Sequence, residues 1–109
     1  MITWDDFSKI DMRIGTVVEI NRFPEAHKPA FQLTIDFGMV GIKRSSAQIT
    51  DLYQPEDLLG RQVVAVVNLP PKRIATFTSE CLVLGAVDDQ DIVTLLQPER
   101  ETPNGLKIL

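Results

Sequence analysis

The sequence contains one cysteine, one histidine, one tryptophan and one tyrosine among 109 residues. Each scarcity excludes something. A lone cysteine, Cys81, allows no intrachain disulfide and no zinc site built on cysteines. It stands in the apolar run Cys81-Leu-Val-Leu84 and reads as a small buried hydrophobe rather than a reactive thiol. A Ser-His-Asp or Cys-His centre would need His27 as its base, but His27 lies in a loop with no marked partner. One histidine, one cysteine and scattered carboxylates have no metal-ligand spacing, and no Walker loop or G-x-G-x-x-G occurs. No metal, cofactor or catalytic centre is expected, so the chain reads as non-enzymatic.

Long apolar runs are also missing. No stretch approaches the roughly 18 residues that a membrane-spanning helix needs. Met1 to Lys9 carries acids where a secretory signal would be basic. The reading is a cytoplasmic protein.

An excess of positive charge is missing too. The formal net charge is −4 and the pI about 4.8, which argues against tight nonspecific nucleic-acid binding. The charge is uneven, however. Asp11 to Arg73 holds eight basic and seven acidic residues, and the remainder three basic and eight acidic. Any anion site therefore belongs to the first two thirds.

What is present is a series of short strands. Thr3 with Asp6 three positions on gives a capping-box pattern and a short helical turn carrying Trp4 and Phe7 on one face. Arg13 to Asn21 alternates as a strand, with Ile14, Thr16, Val18 and Ile20 assigned to one face. Phe31 to Phe37 is the clearest strand, with Phe31, Leu33, Ile35 and Phe37 on one side. Gly38-Met39 turns the chain, and Val40 to Arg44 pairs back. Ser45-Ser46 is read as the cap of a short helix reaching Leu52, and Pro55 to Gly60 as a second helical turn. Gln62 to Asn68 is apolar on both faces and reads as a central strand. Leu69 to Ser79 is read as irregular because Pro70 and Pro71 oppose a regular strand. Cys81 to Val87 and Ile92 to Gln97 complete the set around the turn at Asp88 to Asp91. The order predicts an all-β fold with short helices: residues 1–109 as a single domain, built on a five-stranded OB barrel with a helix between its third and fourth strands.

Two basic pairs stand out. Lys43-Arg44-Ser45-Ser46 reads either as a phosphate contact at a helix start or as a solvated strand end with a serine cap. Pro70-Pro71-Lys72-Arg73 reads either as a preorganised basic loop or as a surface charge pair. Phe23 and Phe77 lie in loops, where they could stack on bases, form an apolar peptide pocket or make a dimer contact. Trp4 and Phe7, with Leu95, Leu96, Leu106, Ile108 and Leu109, exceed what a small barrel needs to cover itself. They are predicted to bury one another across a two-fold axis.

Several segments carry a resemblance. Asp11-Met-Arg13-Ile-Gly15-Thr-Val17, Phe23-Pro-Glu-Ala-His-Lys28, Asp36-Phe-Gly38, Val66-Val-Asn-Leu-Pro-Pro71, Ser79-Glu80 and Pro103-Asn-Gly105 together resemble the tRNA-binding-domain family. Within it, Phe23-Pro-Glu-Ala26, Gly41-Ile-Lys43, Ser45 to Thr50 and Asn68 to Ala75 resemble the CsaA export-related chaperones. The resemblance implies an OB-fold homodimer, with N- and C-terminal extensions at the dimer interface, that binds unfolded or presecretory polypeptides. It departs from many tRNA binders at Phe23 and His27, where that family has histidine and aspartate. It departs again at Pro29, and at Cys81-Leu82 in place of Gly-Met. The loop is thereby more apolar and less acidic.

Two functions follow as expectations. A peptide groove would use Phe23, Pro70, Pro71, Ile74 and Phe77, rimmed by Lys28, Lys72 and Arg73. A tRNA surface would use Lys28, Lys43, Arg44, Ser45, Ser46, Lys72, Arg73 and Ser79, with salt-dependent affinity and recognition by shape.

Overall fold

The computed structural model describes residues 1–109. Eleven residues of continuous extended backbone, Met12–Arg22, form β1, the strand on which the fold is built. Its first half pairs antiparallel with β4 (Gln62–Val66), and its second half with β2 (Phe31–Asp36). β2 pairs in turn with β3 (Ile42–Ala47), and β4 with the short β7 (Leu82–Val83). The sheet order is β3-β2-β1-β4-β7.

β3 meets the residues just ahead of β7 at Arg44 and Glu80. The Arg44 N–H donates to the Glu80 side chain at 3.0 Å, and the Glu80 N–H donates to the Arg44 carbonyl at 2.7 Å. This reciprocal pair nearly closes a five-stranded antiparallel barrel, as the strand pattern predicted. The short helix α2 (Pro55–Leu58) lies between β3 and β4, with proline in its first turn. Its Leu58 is fully buried beside Val17, Leu33, Ile35, Phe37 and Val63 in the main core. A second helix, α1 (Trp4–Ser8), precedes the barrel and carries the predicted capping box between Thr3 and Asp6.

Four sequence expectations are corrected. β1 does not keep one alternation: its register with β2 shifts between Val17 and Glu19. Gly15 and Val17 are buried, whereas Val18, assigned by period two to the face of the buried Ile14, is exposed. One extra residue in a strand reverses every side chain beyond it. Ser45 and Ser46 do not start a helix, because β3 runs through them to Ala47. Leu69 to Ser79 is not wholly irregular: Lys72–Ile74 (β5) and Phe77–Ser79 (β6) form a hairpin immediately after the two prolines. Finally, Leu95, expected with the residues that bury one another across a two-fold axis, is already buried within its own chain. It ends β9 (Val93–Leu95), which pairs with β8 (Gly85–Val87), and its side chain belongs to the main core.

The segment from Thr102 to Ile108 returns to the start of β1. The Ile14 N–H donates to the Leu106 carbonyl, and the Ile108 N–H to that of Met12. The side chains agree. Arg13 holds Asp11 at 2.6 Å and donates to the Gly105 carbonyl at 3.0 Å, while the Thr16 hydroxyl donates to Asn104 at 2.7 Å. A Cβ on Gly105 (φ 91°) would stand 2.6 Å from the Phe37 carbonyl oxygen, so the Asp36-Phe-Gly38 and Pro103-Asn-Gly105 motifs require each other. The motifs near both ends of the sequence thus form one structural clamp.

Candidate functional site

The long β1–β2 connection and the β5–β6 hairpin stand on the same side of the barrel. They are locked together by aromatic packing. Phe23, where β1 gives way to the loop, and Phe77, on β6, bring their rings to 5.4 Å with a 55° tilt. Ala30 completes this small satellite core, with Ala26 and Ile74 against it. The Arg44 guanidinium lies 4.3 Å from the centre of the Phe77 ring, within cation–π distance, while the residue stays exposed to solvent. The Ser46 N–H donates to the Ser79 hydroxyl at 3.1 Å and pins the base of the hairpin to β3.

This geometry sorts the predicted site residues. Phe23 and Phe77 are only 4% and 3% exposed. They serve as the buried strut between two loops and present no free ring face to a base or a peptide. Pro70 and Pro71 are exposed, and Ile74 is half-buried. On β3 the side chains alternate. Ser45 is 1% exposed, and its hydroxyl donates to the Cys81 carbonyl at 2.9 Å inside the barrel seam. Lys43 shares its parity and is half-buried, whereas Arg44 and Ser46 turn toward the hairpin. The basic-hydroxyl cluster therefore splits: Ser45 is structural, and Arg44 and Ser46 belong to the loop face.

Three adjoining depressions cross this face. One, of about 550 Å³, is lined by Arg22, Pro24, Ala26, His27, Pro29 and Thr50 among others. The next, about 500 Å³, shares Pro29 and Thr50 with it and adds Lys28, Gln48, Asp51 and Asp91. The third, about 520 Å³, shares Gln48, Val87 and Val93 with the second. Its walls include Ile49, Leu69, Pro70, Ile74, Leu82 and Val83, with Ser46 and Ser79 among its polar groups and Lys72 as its single charged residue. Sequence reasoning found Pro70, Ile74 and Lys72 but missed Ile49, Leu82, Val87 and Val93. Leu82 and Val87 are exposed large apolar side chains in a segment read simply as a strand, and no local pattern distinguishes them.

The candidate cations carry no ion pair. Ion pairs join Lys9 to Asp5 and Asp6, Arg13 to Asp11, and Arg100 to Glu99. None involves Lys28, Lys43, Arg44, Lys72 or Arg73. Cys81 behind the groove is buried, and burial pushes its thiol from 9.0 up to about 11. It is therefore held protonated and is a poor nucleophile. No three His, Cys, Asp or Glu side chains gather as a metal site. No helix is long and apolar enough to cross a membrane.

The fold and this face define a small OB barrel whose loops present a stiff, partly apolar and partly basic surface. Residues 12–107 match the model of the tRNA binding domain family. The chain is 58% identical to chaperone CsaA from Bacillus anthracis, covering 100% of this chain and 99% of that one at a TM-score of 0.96. It is 53% identical to the CsaA chaperone protein of Picrophilus torridus, over the full length of both, with a TM-score of 0.93. The methionine–tRNA ligase of Methanococcoides burtonii is 39% identical over 105 residues, 96% of this chain but 15% of that enzyme's length. The chain spans only about 15% of the curated relatives it matches. It belongs to the tRNA-binding-domain family, on the CsaA branch.

Proposed function

We propose that this protein is a CsaA-like chaperone that holds unfolded or presecretory polypeptides in the cytoplasm without catalysing a reaction. The observation that carries this reading is the apolar groove between β3, the hairpin and the β8–β9 pair. Its walls hold ten apolar residues and one charge. Covering such a surface with extended apolar side chains removes them from water, which is the driving force a chaperone uses. The whole-length likeness to two CsaA chaperones supports it.

A fluorescent, permanently unfolded presecretory polypeptide is the direct probe. Ile74→Asp and Val87→Asp each place a carboxylate in the groove wall and should weaken binding at least about tenfold, the equivalent of 1.4 kcal/mol. Undiminished binding in both folded variants would refute this site.

A second reading, binding of structured tRNA, is favoured by the unpaired cations Lys28, Arg44, Lys72 and Arg73 and by the family match. Replacing Lys72 and Arg73 by glutamine should then lower the salt dependence of RNA affinity by about one to two phosphate contacts. An unchanged slope would count against it.

The protein is proposed to work as a homodimer. Trp4 is 91% exposed, and Met39 and Leu106 are exposed where the returning segment meets the Gly38 turn. Phe7 and Ile108 are half-buried nearby in the chain. This supports an isologous contact at the α1 end.

A further inference from the structure

We infer that an extended polypeptide and an RNA backbone exclude each other on this protein, because Lys28 and Lys72, two of the cations that would hold a phosphate backbone, line the same trough as the apolar groups that would hold a peptide. The inference rests on the chaperone reading and adds a form of regulation to it. The evidence is the overlap of two residue sets. Ser46, Lys72 and Ser79, which suit phosphate, line the same 520 Å³ groove as Pro70 and Ile74, which suit an apolar side chain. Lys28 lines the adjoining depression, and the two share Gln48, Val87 and Val93 as a common wall. A phosphate backbone running from Lys28 to Lys72 must pass over that wall. A peptide lying in the groove must cover it.

Two of the walls are tied to the barrel. The hairpin is fixed by the Phe23–Phe77 contact, the Arg44 guanidinium on the same ring and the Ser46–Ser79 hydrogen bond. The β3 side is fixed by six paired residues with β2. A trough with shared lining residues gives direct exclusion rather than a graded coupling between separate sites. RNA would then release bound polypeptide, and polypeptide would clear RNA, with no conformational switch.

The test uses the full chain at near-physiological salt, a labelled unfolded presecretory polypeptide and unfractionated deacylated tRNA. Polypeptide affinity is measured first without RNA, then at rising RNA concentration. Direct exclusion makes the apparent Kd rise in proportion to RNA without limit, by about elevenfold when RNA stands at ten times its own Kd. Lys28→Gln with Lys72→Gln should raise the RNA concentration needed for half-displacement by a larger factor than it changes the RNA-free polypeptide Kd measured on the same variant; an equal change in both would count against exclusion through these cations. Either a plateau in the apparent Kd or a complex carrying both labels would overturn the inference and leave the chaperone reading intact. So would the absence of RNA binding. Failure of the polypeptide to bind in the RNA-free arm would overturn the chaperone reading itself, and is seen before any RNA is added.

Discussion

Ala75 sits at the tip of the β5–β6 hairpin with φ 53°, in the left-handed region where an L side chain is crowded. The Arg73 guanidinium donates to its carbonyl at 2.9 Å and helps hold it there. Ala75→Gly should relieve the crowding and stabilise the fold by about 0.5–1 kcal/mol, net of glycine's greater freedom when unfolded. Urea denaturation would read this as a higher midpoint at unchanged slope. Cys81 gives a second expectation. Its folded thiol keeps its proton up to about pH 11, while the unfolded thiol loses it from about 9. The native state therefore binds more protons in that window, so this contribution is fully present below pH 9 and falls away as pH rises toward 11. Cys81→Ala should flatten the alkaline fall in stability relative to the parent, seen in thermal midpoints between pH 8 and 11. At this scale the sequence was informative about residue type and blind to direction. Lys43 and Arg44 look alike in the string, but strand parity and the Phe77 ring put them in different environments. Phe23 and Phe77 read as loop aromatics because their contact spans more than fifty positions.

Among the elements, the hairpin depends most on a single side chain. Phe77 takes the Phe23 ring on one contact and the Arg44 guanidinium on another. Phe77→Ala should cost about 3–4 kcal/mol, as large-to-small changes at buried aromatics do. The loss should be local. Amide exchange should speed up across residues 72–79 and in the 23–30 loop, while β1, β2 and β4 stay protected; uniform loosening would contradict the satellite-core description. Strands with strict alternation, such as Phe31 to Phe37, were readable because period two marks a half-buried surface. β1 was misread beyond Val17 because a bulge leaves no mark in composition. The serine pair imitated a helix cap, yet one of its hydroxyls closes the barrel seam. The proline pair argued against strand structure and instead stands just ahead of it.

For the whole molecule, the prediction concerns assembly. If the α1 end is the two-fold contact, Leu106→Asp should place paired charges in it and yield a monomer by sedimentation at micromolar concentration, with the barrel's circular dichroism intact. A dimer that persists would move the contact elsewhere. The fold class and the order of elements were legible from strand count, turn residues and the helix between the third and fourth strands. The trough was not, because its walls come from well-separated stretches, residues 46–49, 69–74, 79–87 and 93, and become a surface only when the barrel closes.

The clamp at the start of β1 has a consequence in time. Arg13 and Thr16 find their side-chain partners 92 and 88 positions further along the chain. At a synthesis rate of about 5–20 residues per second, that interval is roughly 5 to 20 seconds. During it, β1 can pair with β2 and then β4 as each emerges, yet the Met12–Ile14 edge stays open and Gly105 has not been made. The barrel forms early and is fastened late. A nascent chain that stalls before Asn104 should therefore hold most of its strands while still exposing backbone groups that a neighbouring chain can pair with.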